Sequence, residues 1–137
     1  MEILCLLVCV VTAMMMDLVA YKISNKLIVG GLFAGCFLNV VRNGEKGFLF
    51  SVSGILLPII ILWMVYVFRI IGAGDVKLFS VIGGIMGTQF VLKCILYAIF
   101  IGGLLAVIKI IKRTLEHSKD SVIPFSIAIL AAVMILI

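Results

Sequence analysis

Apolar residues run along this chain in six blocks, each broken by a short polar or glycine-containing interval. The blocks cover roughly residues 3–20, 27–41, 48–71, 76–87, 90–111 and 121–137. Within each block the apolar positions are continuous, which does not fit the alternating segments of about ten residues that build a membrane β-barrel. A helix needs about 20 residues to cross the hydrocarbon core. The blocks therefore predict an all-α integral membrane protein of about six transmembrane helices, folded as one domain over residues 1–137. The third block contains Pro58, which a membrane helix tolerates as a kink. The fourth is only about a dozen residues and rich in glycine. It is expected to lie deep among its neighbours, with Gly83, Gly84 and Gly87 allowing close approach.

Composition agrees with this pattern. The chain is 66% hydrophobic and 12% charged, against about 45–50% and about 25% in soluble domains. Its N-terminus does not read as a cleaved signal peptide, since Glu2 stands where a basic segment belongs and the apolar run is too long. The net charge of +5 is spread over the loops, which points to topology and contact with membrane lipid rather than to nucleic acid. With six spans, Lys22, Lys26, Arg69, Lys77, Lys109, Lys112, Arg113 and Lys119 share one side, and Arg42, Lys46 and Lys93 the other. That split of eight to three becomes five to six if the fourth block is a re-entrant hairpin. The positive-inside rule favours six spans with both termini outside.

Cys5, Cys9, Cys36 and Cys94 form no Cys-x-x-Cys, and His117 is the one histidine. No zinc site, other metal or cofactor is expected, and Cys5 and Cys9, on one helix face, read as packing.

Of six acidic residues, Glu2, Glu45, Glu116 and Asp120 fall at the terminus or in loops. Asp17 closes the first apolar block after Met14-Met15-Met16, and Asp75 stands in Gly72-Ala73-Gly74-Asp75-Val76-Lys77 between two blocks. A charge at the bilayer centre costs about 2.5–3.5 kcal/mol, so acids embedded in such sequence are functional candidates. The predicted topology puts both at similar depth on the cytoplasmic side. Two carboxylates brought together share a proton. The ionised one can deprotonate water while the protonated one polarises a carbonyl, which is the chemistry of aspartic proteases. Gly72 and Gly74 leave room for a substrate backbone.

Each residue also has a plainer reading. Asp17 can be an interfacial residue, Asp75 a helix N-cap and Lys77 a lysine whose head reaches for the headgroups. Two other function classes use the same residues. A proton-coupled transporter would place its acids near the midplane, often with internal repeats. A structural subunit of a pilus or secretion complex would use them to hold helices together.

The segment Gly72-Ala73-Gly74-Asp75-Val76-Lys77-Leu78 resembles the Gly-x-Gly-Asp-x-Lys-Leu signature of type IV prepilin peptidases. Asp17-Leu18, followed by Ile23-Ser24-Asn25-Lys26-Leu27, is similar to that family's first aspartate motif, and Pro124-Phe125 resembles its closing Ile-Pro-Phe element. The resemblance covers essentially the whole chain. It implies a membrane aspartyl endopeptidase with Asp17 and Asp75 as the catalytic pair, Gly72 and Gly74 as motif residues and Asn25 as organiser of the first motif. Its implied partners are pilin-like precursors, which lose a short basic leader at the cytoplasmic face of a prokaryotic cell membrane. Ser24 stands where the family has proline, a change expected to loosen the first loop. The paired Cys-x-x-Cys region of the larger bifunctional members is absent from the sequence. The resemblance therefore implies a peptidase without methyltransferase activity, similar to the compact enzymes of tight-adherence (Flp) pilus systems, with archaeal preflagellin peptidases as neighbours.

Overall fold

The structure, a computed structural model, describes residues 1–20, 22–69, 71–116 and 125–137. Pro124 of the closing element, and His117, Lys119 and Asp120 of the last polar interval, lie outside the described residues. Six helices follow one another: α1 (Glu2–Ala20), α2 (Asn25–Asn43), α3 (Glu45–Val67), α4 (Ala73–Met86), α5 (Thr88–Glu116) and α6 (Ser126–Leu136). Among the described residues there is no strand. Helices α1, α2, α3 and α5 are long and apolar enough to cross a membrane. At 14 residues, α4 is only about 21 Å long.

Helix α4 is the core of the bundle. Every residue from Leu78 to Ile85 is buried, and α1, α2, α3 and α5 all pack against it. Helix α6 packs on α5 and α1. Large apolar side chains such as Phe33, Ile60, Trp63, Leu96 and Phe100 cover the outside, as lipid contact requires. The interior is built by small residues that let backbones touch. Gly54 of α3 and Gly83 of α4 meet so closely that a Cβ on either would collide with the other's carbonyl oxygen. Gly54 is four residues before Pro58, which has no N–H to give it. The carbonyl that proline leaves without its helical donor is thus the one that faces Gly83. Gly87 ends α4 at φ +85° and carries the Phe50 ring against its Cα, so glycine is required there both by conformation and by space.

A short helix surrounded by other helices must satisfy its last carbonyls without water. Asn39 of α2 and Ser51 of α3, 2% and 0% exposed, supply the donors. The Asn39 amide donates to Ser51 Oγ (2.8 Å), to the Gly84 carbonyl (2.9 Å) and to the Ile85 carbonyl (3.2 Å). Ser51 Oγ donates to the Gly84 carbonyl at 2.9 Å, and the Gly87 amide closes onto Gly83 at 2.8 Å. At the outer rim of the same end, Arg42 pairs with Glu2 at 2.8 Å. That exposed pair is worth at most about 1 kcal/mol.

These contacts set the expected effects of three substitutions. Gly54→Ala is expected to lower the unfolding free energy in detergent by about 1–3 kcal/mol, because backbone and not a flexible side chain blocks the methyl. Gly30→Ala, which meets nothing within 4 Å, is expected to be neutral or stabilising by up to about 1 kcal/mol through helix propensity. Equal effects of the two would contradict the close α3–α4 contact. Asn39→Leu is expected to cost at least about 1–3 kcal/mol by stranding buried acceptors, read as a fall in thermal midpoint.

Candidate active site

The end of the bundle opposite Asn39 gathers the end of α1, the start of α2 and the start of α4. Asp17 is three residues from the end of α1, and Asp75 is the third residue of α4. The fourth apolar block was expected to begin at residue 76 with Asp75 as a possible cap. Instead Ala73 and Gly74 join the helix, and Gly72 is its N-cap with φ −75° and ψ 153°. The Asp75 amide returns to the Gly72 carbonyl at 3.1 Å. Asp75 is therefore set inside the first turn, with its carboxylate folded beside Gly72. Its Oδ2 lies 3.4 Å from where a Cβ on that glycine would stand.

Neither motif glycine has a left-handed backbone. Gly74 faces the Ile23 side chain, which would lie at ordinary contact distance, 3.5–3.6 Å, from an added methyl. Gly72 is exposed. What these positions provide is an uncluttered wall beside Asp75, not an unusual turn.

The interval after α1 is held by hydrogen bonds at the head of α2. Ser24 is the N-cap, and its hydroxyl accepts from the Lys26 amide at 3.3 Å. Its φ of −69° and ψ of 132° are values a proline also adopts. The serine therefore keeps the backbone shape and adds a cap, where loosening was expected. Asn25 follows, and its side-chain carbonyl accepts from Lys77 Nζ at 3.0 Å. Lys77 thereby ties the N-terminal part of α4 to the first turn of α2, a contact the headgroup-seeking reading of this lysine does not contain.

These pieces enclose a cleft of about 250 Å³. Its walls are formed by Asp17, Asn25, Gly72, Gly74, Asp75 and Lys77, joined by Lys22, Ile23 and Ala73. All six residues singled out in the sequence thus meet at one place. The two carboxylates lie within electrostatic reach of each other, and two lysines share their walls. Among the described residues, no three His, Cys, Asp or Glu side chains gather as a metal site would require.

One contact at the site was not anticipated. Ser126, the first residue of α6, is fully buried and donates to Asp17 Oδ2 at 2.6 Å. The available signal was that it is the one polar side chain in an otherwise apolar helix.

Comparison with curated proteins found no match, and comparison with solved structures found none. Comparison with protein families matches residues 4–107, which include both aspartates and the whole cleft wall, to the type IV leader peptidase family. That stretch is well over half of the chain, and the protein belongs to the type IV leader peptidase family.

Proposed function

We propose that this protein is an aspartic endopeptidase of the cytoplasmic membrane of a prokaryote, and that it removes the short basic leader from pilin-like precursors. The observation that carries this reading is the meeting of Asp17 and Asp75, 58 positions apart in the chain, on the wall of one cleft at one end of the bundle. In this reading all six helices are membrane segments, both termini lie outside, and the cleft opens at the cytoplasmic face. The loop charges support that orientation.

The reaction follows from the pair. One aspartate is ionised and the other holds a proton. The ionised carboxylate takes a proton from water as the water oxygen bonds to the scissile carbonyl carbon. The protonated one gives its proton to the carbonyl oxygen. As the tetrahedral diol collapses, the carbon–nitrogen bond breaks, the leaving nitrogen receives the proton taken from water, and the second carboxylate recovers its own.

The cleft's place supports the substrate class. A precursor with a positively charged leader followed by an apolar helix would rest its helix among the membrane helices and present the junction at the bundle's end. Lys22 and Lys77 stand in the cleft walls, so the basic leader is expected to extend away from them into solvent. The four cysteines form no Cys-x-x-Cys, which supports a peptidase without the methyl-transferring activity of the bifunctional members.

The test is co-expression with candidate pilin-like precursors, reading leader loss by mass. Asp17→Asn and Asp75→Asn are each expected to reduce cleavage by at least about 10³-fold while leaving membrane levels unchanged, since each removes an obligatory proton carrier. Cleavage that survives either change removes that residue from the chemistry. If the well-folded wild type cuts no precursor, the reading falls.

A further inference from the structure

Among the described residues, most serine and threonine hydroxyls that donate return to their own helix. Thr12 donates to the Val8 carbonyl, Ser80 to Val76 and Thr114 to Ile110, each four residues back. That is the ordinary fate of serine and threonine in a helix. Ser126 differs. It begins α6, is 0% exposed, and sends its hydroxyl across to a carboxylate on α1, 109 residues away in sequence. For packing alone an alanine would serve as well as a serine here, since the rest of α6 is apolar and a buried hydroxyl is costly without a partner.

We propose that Ser126 is a positioning residue for Asp17: its hydroxyl holds one carboxylate oxygen, so that Asp17 is the charged member of the pair and turns its other oxygen to the attacking water. This rests on the aspartic peptidase reading above and assigns the two roles that the reading leaves open.

Three observations carry it. The separation of 2.6 Å falls in the range of about 2.5–2.7 Å for a hydroxyl donating to a charged carboxylate, below the usual neutral distance of about 2.7–2.8 Å. An ionised carboxylate has no proton to give and a hydroxyl has one, so the serine is the donor. The support is also unequal. Among the described residues no other side chain donates to Asp17, and none donates to Asp75. Lys77, the cation nearest Asp75 in sequence, is engaged by Asn25. With one proton to share, the carboxylate that holds a side-chain donor keeps the charge and Asp75 keeps the proton. Asp17 then accepts the proton of water, and Asp75 donates to the scissile carbonyl. The bond also fixes the Asp17 side chain. A free carboxylate at a helix end samples several rotamers, and one anchored oxygen restricts the other to a single direction.

The experiment uses the full-length protein and a precursor that the wild type cleaves, with Asp17→Asn and Asp75→Asn as inactive references. Ser126→Ala is expected to lower kcat roughly 10- to 100-fold, the usual weight of a hydrogen bond to a charged group, with KM within about twofold of wild type and normal membrane abundance. Ser126→Thr, which keeps the hydroxyl, is expected to recover kcat to within about fivefold. The proposal is overturned if Ser126→Ala cleaves at the wild-type rate. It is also overturned if alanine and threonine are equally impaired, or if activity is lost only in step with folded protein. If the two asparagine variants still cleave, it is the aspartic peptidase reading that fails, which separates the two failures.

Discussion

A helix that stops within a bundle of membrane helices leaves carbonyl groups with no water to meet, and the rest of this structure is arranged around that constraint. Helix α4 is too short to carry its own end to solvent. Asn39 and Ser51 reach its last carbonyls from positions four and six residues inside their own helices, about 6–9 Å from those helix ends. One amide thereby fixes the heights of α2, α3 and α4 relative to each other. The glycine contact between α3 and α4 fixes their separation. With height and separation set at this end, the length of α4 determines where its other end, and Asp75 with it, must lie.

The end that holds the candidate site is built differently. There side chains mostly meet side chains: Lys77 crosses to Asn25 and Ser126 crosses to Asp17, while Ser24 caps α2. The two aspartates come from elements that do not depend on each other for local structure. Asp17 belongs to the end of a long lipid-facing helix, and Asp75 to the first turn of the core helix. Their position near helix ends, not halfway along, suits a substrate bond presented from the aqueous side. It suits less well a proton path through the middle of the membrane.

Much of this was legible in the sequence because the relevant signals are local. Six uninterrupted apolar blocks give six helices in the same order, since membrane helices must satisfy their backbone within the segment. The two acids stood out because a carboxylate in such sequence is expensive. The close-packed glycines of α4 were visible as a cluster. Contacts between elements were not. Asn39 looks like any polar residue near a helix end until Gly84 and Ile85 are known to stop beside it. Ser126 looks like a serine bonding to its own helix until α6 is seen against α1. Helix α4 starts about one turn before the apolar block because Ala73 and Gly74, equally compatible with loop and helix, join it after the Gly72 N-cap. The expected loosening at Ser24 missed that a serine can adopt proline's backbone angles and cap the helix as well.

The bond between Ser126 and Asp17 joins α1 to α6. A ribosome adding about 5–20 residues per second needs roughly 5–20 s to travel the 109 positions between them. Asp75 is added 58 positions into that interval, so over the remaining 51 both aspartates are in the growing chain while Asp17 still lacks its Ser126 contact. Formation of this contact is thus tied to synthesis of α6. A chain stalled before α6 would carry both acids, with Asp17 lacking its hydroxyl donor.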